Sequence, residues 1–148
     1  MKHARFGEQN GAAAVEFALI APVLFMLIFG IIQFGIAWSQ KEVFVQAARE
    51  GARYAAVGCE SSTSGCMPGQ VAQRVVDSSV DYQLTDGTQT GAGIVSVQVN
   101  GASQSGCTTG DTGDLVTVGW SQNFVITIPF VPNINVNAPI QAVFRCET

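Results

Sequence analysis

The chain's 148 residues hold 7 basic and 11 acidic side chains, a net charge of -4, 4 Cys and 1 His. That length allows one modest domain, or one domain and an anchor. A hydrophobic share of 47% argues against disorder, and the lack of a basic patch argues against a nucleic-acid partner. The single His3 leaves no imidazole for chemistry beyond the extreme N-terminus.

Charged residues make up 12% of the chain, against about 25% in an ordinary soluble protein. The deficit is local: from Phe17 to Ile32 no side chain is charged or strongly polar. Continued to Trp38, the run reaches roughly 33 Å as a helix, enough for a hydrocarbon core. It is too long and too uniformly apolar for the buried helix of a soluble protein. A cleaved secretory signal would have a shorter apolar region and a small-residue cleavage site behind it. Here Ser39-Gln-Lys-Glu continues in helical style, so a retained membrane helix over 12–38 is expected. Lys2, Arg5 and the α-amino group precede the run against Glu8 alone, while Lys41-Glu42 behind it is neutral. The positive-inside rule then sets the N-terminus in the cytoplasm and residues after about 39 outside. Trp38 suits the outer interface, and Pro22 should bend the helix.

Before the run stands Gly11-Ala-Ala-Ala-Val-Glu-Phe17. An acidic residue at the threshold of a membrane helix is costly unless something meets it. One reading of Glu16 is a carboxylate snorkelling to the interface. The other begins with a cut after Gly11. Glu16 then becomes the fifth residue of a chain starting at Ala12, and one subunit's carboxylate can meet its neighbour's new amine. Such a pair loses hydration but disfavours wrong register strongly, so it works as an alignment device.

A short basic leader, Gly, four small or apolar residues, Glu and a long apolar helix resemble the type IV prepilin pattern. The fuller string from Gly11 through Pro22 to Phe29-Gly-Ile-Ile-Gln-Phe-Gly35 resembles the TadE-like pseudopilins of the tight-adherence (Tad/Flp) pilus. So do Ala47-Ala-Arg-Glu-Gly-Ala-Arg-Tyr-Ala-Ala56 and the Arg145-Cys-Glu147 ending. The detailed likeness covers residues 11–57. It implies a pilin-like fold and a minor subunit of the pilus machinery, without enzymatic activity. A prepilin peptidase would cut between Gly11 and Ala12, and Glu16 would serve assembly. The implied partners are that peptidase, other pilins and pseudopilins, the Tad inner-membrane assembly proteins and the lipid bilayer. The implied site is the cytoplasmic (inner) membrane, with passage into the pilus possible. An unprocessed, permanently anchored binding or adhesion module is the alternative.

From Lys41 to Val57 the helical pattern persists. Polar positions 42, 46, 49, 50 and 53 recur at three and four, and small residues at 47, 48, 51, 52, 55 and 56 permit close approach. A single helix over 12–57 is about 69 Å long, twice a membrane's thickness, so its outer part (39–57) must pack on something. Arg49 and Arg53 suit an oligomer contact or a salt bridge equally. Gly58 is a stop signal.

Residues 58–148 are expected to form an extracytoplasmic α+β domain. Residues 58–66 read as a loop with a Cys at each end. A second helix runs from Pro68 to about Tyr82, with Val71, Val75, Val76 and Val80 on one side, and 85–93 form a Gly/Thr loop. Period-two alternation marks strands at 95–99, 116–120, 124–128 and 140–145, an antiparallel sheet of about three or four strands with one covered face. Asn100-Gly101 is turn chemistry. Pro129, Pro132 and Pro139 mark a loop around Asn133-Ile-Asn-Val-Asn137.

Cys59, Cys66, Cys107 and Cys146 all come after the membrane helix, as disulfides require. Four cysteines allow three pairings. Cys59–Cys66, closing a small loop, with Cys107–Cys146, tying a loop to the last strand, is favoured over the others. No metal and no cofactor are expected, because the cysteines lack Cys-x-x-Cys spacing and no His joins them. Asp111-Thr-Gly-Asp114 lacks calcium-loop spacing and reads as a turn. Asp77 and Asp81 read as a solvated face, and no nucleophile has a His base.

Overall fold

The computed structural model describes residues 8–61, 65–79, 82–129 and 131–147. Its first element, α1 (Glu8–Ala56), is one unbroken helix of 49 residues that runs through Pro22. It starts earlier than the expected Ala12, because residues 8–10 continue the helix set up by the helix-forming alanines at 12–14. A turn at Val57 and positive φ at Gly58 (71°) and Cys59 (53°) end it. The expected loop at 58–66 opens with a helical turn, α2 (Gly58–Ser61).

The second long element, α3 (Gln70–Ser78), is shorter than expected at both ends. Pro68 and Gly69 form a turn, since Gly69 takes φ 82°, which a helix cannot use. At the other end the Ser79 hydroxyl donates to the carbonyls of Val76 (2.7 Å) and Tyr82 (2.9 Å). Val80 and Asp81, read as part of this helix, lie outside the described residues. Thr85 bridges to Thr90, and a 3-10 turn (Gly91–Ile94) leads into the sheet.

The sheet is antiparallel, ordered β2-β1-β3-β4, from β1 (Ser96–Val99), β2 (Ala102–Ser103), β3 (Leu115–Ile126) and β4 (Ile134–Arg145). Asn100 and Gly101 turn β1 into β2 with φ of 51° and 83°. Two expectations are corrected here. The segments 116–120 and 124–128 belong to one strand, β3, which ends at Ile126. The Asn-rich segment around 133–137 is the first half of β4, paired residue by residue with β3 from Ile134↔Ile126 onward. Pro139 sits within β4, an edge strand, where proline is tolerated.

Gln122 explains the broken reading of β3. It occupies the inward row between Trp120 and Phe124 and is 2% exposed. Its Oε1 accepts from Trp120 Nε1 (2.9 Å) and from the Thr85 amide (3.2 Å). Its Nε2 donates to the carbonyl of Asn123 (3.2 Å). A polar residue interrupts the apolar alternation there, yet the strand continues because each polar end is paired.

α1 and α3 cover one face of the sheet. Where α1 meets the sheet and α3, its buried residues are Phe44, Ala47, Ala48, Gly51, Ala52, Ala55 and Ala56, the helical spacing of an inward stripe. The anticipated polar stripe at 42, 46, 49 and 53 is exposed, with Glu50 half-buried. A Cβ on Gly51 would overlap the Val75 Cγ2 methyl, so the α1–α3 crossing uses the missing side chain. Phe44 is the aromatic hub, edge-on to Tyr82, Trp120 and Phe124 with ring centroids 6.0–6.1 Å away. Glu50 receives Arg74 Nη2 at 2.7 Å, and that guanidinium lies 5.5 Å from the Tyr54 ring, fastening α3 along α1 at the surface.

The far end of α1 is closed by segments distant in sequence. The amide of Cys107 donates to Ala55 O, and that of Glu147 to Ala56 O, both at 3.0 Å. These are carbonyls that a helix end leaves without internal partners. The disulfides Cys59–Cys66 and Cys107–Cys146 sit beside them, separated by 7 and 39 residues in sequence.

Loop entropy assigns about 2.5 kcal/mol to the shorter ring and about 4 kcal/mol to the longer one. Replacing Cys107 and Cys146 by Ser should therefore lower the unfolding free energy by more than replacing Cys59 and Cys66, as read by guanidinium titration in detergent micelles. Gln122→Leu leaves Trp120 Nε1 and the Thr85 amide without their shared acceptor. It should cost about 1–3 kcal/mol in the same titration, although leucine is the more apolar residue.

Candidate functional site

The residues singled out near the N-terminus all lie on α1. Gly11, Ala12 and Glu16 are each exposed. Ala12 and Glu16 are four apart and so share a face. A Cβ at Gly11 would meet nothing within 4 Å. The Gly11–Ala12 bond sits inside the helix rather than at its start. Residues 1–7 of the leader, with His3, lie outside the described residues.

The surroundings of Glu16 are apolar. Val15, Phe17, Leu19, Ile20 and Val23 are all exposed, from 57 to 75%. Among the described residues the basic side chain nearest in sequence is Lys41. It is 25 positions on, roughly 37 Å along the helix. The carboxylate is thus carried at the edge of an apolar rod, beyond reach of the described cations of its own chain.

The rod itself is long and apolar enough to cross a membrane, and very little of its most apolar stretch is buried within the molecule. That low burial separates it from the core helix of a soluble domain, which hides its apolar residues. Burial on α1 becomes continuous only around Phe44 and beyond. The protein is an α+β domain folded on the C-terminal part of a helix whose N-terminal part is long and apolar enough to cross a membrane and lies largely uncovered.

Residues 11–53 match a family model described as TadE-like protein. The match covers about a third of the chain and includes Gly11, Ala12, Glu16, Pro22, Arg49 and Arg53. No curated protein and no solved structure matches the chain.

The remaining candidates have local roles. Arg49 and Arg53 are exposed on the outer stripe. Asp77 accepts from Gln73 Nε2 at 2.9 Å on the surface of α3, and its suggested companion Asp81 lies outside the described residues. Among the described residues no group of three or more His, Cys, Asp or Glu could hold a metal. Asp111 accepts from the Thr108 hydroxyl (2.7 Å) and amide (2.8 Å), so it pins a turn. Those bonds, the hydroxyl first, hold its carboxyl below the ordinary value of 3.8. Asp86 is lowered likewise, chiefly by the Gln89 amide (2.6 Å) and then by Thr88. Sequence pattern alone passes over Gln122 and the closure of Ala55 and Ala56. A glutamine on the inward row of a period-two stretch is the available signal for the first. The second joins distant segments and leaves no local pattern.

Both carboxylates are stronger acids folded than unfolded. Their stabilisation is present above the unfolded value near 3.8 and fades as pH falls through the lower folded value. The Thr108 and Gln89 amide resonances should titrate with midpoints below 3.8, and Asp111→Asn should remove the titration at Thr108 alone.

Proposed function

We propose that the chain is a minor pseudopilin that takes part in assembling a Tad/Flp-type adhesive pilus. The supporting observation is the family match over 11–53, a stretch that contains both the Gly11–Ala12 junction and Glu16. In this reading residues 12–38 hold the subunit in the cytoplasmic membrane, N-terminus inside and ectodomain outside. A prepilin peptidase cuts after Gly11. The leader leaves, and the new amine of one subunit meets Glu16 of its neighbour in a poorly hydrated layer between helices. A carboxylate without a described cation of its own chain within reach is suited to such a pairing, because its partner comes from outside. Peptidases act on extended backbone, so the helix across Gly11 must open locally. Asn10 and Gly11, both poor helix formers, make that opening cheap. The protein's role is structural, with the ectodomain supplying specificity toward other pilins and the Tad inner-membrane proteins.

The rival is a permanently anchored binding or adhesion module. The unbroken helix across Gly11–Ala12 is the observation that favours it. Mass spectrometry of the protein from its native host separates the two: an N-terminus at Ala12 supports processing, and an intact Met1 overturns it. Glu16→Ala should leave membrane insertion intact while abolishing pilus-dependent attachment. Normal piliation in that variant removes the alignment role.

A further inference from the structure

A second apolar surface of the ectodomain lies next to the membrane-spanning helix. β3 runs back along α1 toward the membrane. Val118 stands by Gly51, Phe124 meets Phe44, and Ile126 joins a cleft at Phe34, Ala37 and Trp38. That cleft, about 270 Å³, is closed on the sheet side by Phe124, Ile126, Val136 and Ala138 and bordered by Lys41. Beyond Ile126 the described residues 127–129 and 131–133 include Ile128, Pro129, Val131 and Pro132, the Val131 amide donates to the Ile128 carbonyl (3.2 Å), and the chain returns as β4. No charged residue occurs anywhere from 115 to 144.

The level of this hairpin is set by the helix beside it. Trp38 ends the apolar run, and Phe34 lies one turn further in, roughly 6 Å nearer the bilayer centre. Ile126 already reaches Phe34 and Trp38 through the shared cleft, and the turn extends a few Å beyond Ile126. If α1 crosses a bilayer along 12–38, the tip must enter the headgroup and upper acyl layer, the depth of about 5–10 Å at which interfacial segments rest. Its neighbours there remain uncovered by the molecule itself: Val125 is 55% exposed, Ile134 45% and Val136 42%. A charged tip would be excluded from this layer, and this one is wholly uncharged.

We infer that the tip of the β3–β4 hairpin is a second membrane contact, seated in the outer leaflet beside α1 with a lipid acyl chain in the cleft against Phe34 and Trp38. This rests on the reading of 12–38 as the membrane span. Two points of contact, unlike one, restrict the tilt and rotation of the ectodomain about its anchor. The amphipathic ring of Trp38 and the ammonium of Lys41, 5.3 Å from that ring, mark the same level on α1.

The test uses the full chain with both disulfides, in vesicles of phosphatidylethanolamine and phosphatidylglycerol. A photoactivatable benzoylphenylalanine replaces Val131, Leu24 in the span, or Ser103 at the distal side of the sheet, and products are read by mass spectrometry. Lipid adducts are expected at positions 24 and 131, at 131 about tenfold above those at 103, a difference worth about 1.4 kcal/mol. In the variant carrying Pro129→Asp and Pro132→Asp, both at exposed positions, the yield at 131 should fall to the level seen at 103. Adducts at 24 but not at 131 overturn the inference and leave the span intact. Cross-links from 131 predominantly to a second copy overturn it in favour of a subunit interface, and an undiminished yield with two aspartates also overturns it. Absence of lipid at 24 removes the span itself and the inference with it.

Discussion

A single helix has to satisfy two environments, and the rest of the structure is arranged around that requirement. The inner part of α1 presents mostly exposed apolar side chains, and the sheet reaches it only at the cleft by Phe34, Ala37 and Trp38. The outer part buries a narrow stripe of Ala and Gly, exposing polar residues on the other side. Small residues bring the helix axis close to α3 and to the sheet, so one helix can serve as half of a two-layer core. The hydrogen bonds from Cys107 and Glu147 to the last carbonyls then hold the free end of the rod against the fold. The longer disulfide lies immediately beside both donors, so the covalent tie and the backbone closure restrain the same place.

Much of this arrangement was legible from residue pattern because its signals are periodic. The inward stripe of α1 and the outward row at 42, 46, 49 and 53 keep helical spacing. The alternation at 95–99 and 116–120 gives the face of each strand directly. Failures occurred where local chemistry disagreed with the tertiary setting. Gln122 breaks an apolar row yet is satisfied in the core by groups from β3 and the segment at 83–85. Asn133 to Asn137 has turn-forming residues, but twelve consecutive pairings with β3 override that preference. β2 has only two residues, too few to show alternation. The Asn100-Gly101 pair signals only turn chemistry, and the structure makes it the two-residue turn that joins β1 to β2.

The candidate site was legible in a different way. Gly11, Ala12 and Glu16 were found through spacing and through a family likeness, and the family match covers all three. Geometry adds what spacing lacked: the junction lies within a helix, and the carboxylate has apolar neighbours with no described cation of its own chain at hand. Neither fact could be read from the motif. Helix continuity through residues 8–11 depends on the alanines at 12–14, and the isolation of Glu16 depends on the rod being straight enough to keep Lys41 away.

Lateral assembly of such helices within a bilayer could not draw on the hydrophobic effect, because lipid tails would already surround the apolar residues. What remains is close packing, polar pairing, and whatever the ectodomains contribute outside the membrane. Gly30 and Gly35 offer open space on the inner helix, where a Cβ would meet nothing within 4 Å. They allow approach without specifying a partner. Apolar neighbours such as Leu19, Ile20 and Val23 are nearly interchangeable with one another in lipid, so sliding one helix along another by a turn changes little among them. A charged group does distinguish those positions, since a carboxylate left unpaired against hydrocarbon costs several kcal/mol more than one matched to an ammonium, even though the pair also loses hydration. On the proposed reading, register in an array of these rods would fall to Glu16, the one ionisable side chain among the described residues of the exposed apolar stretch, and to the domain fixed on the other end of the same helix.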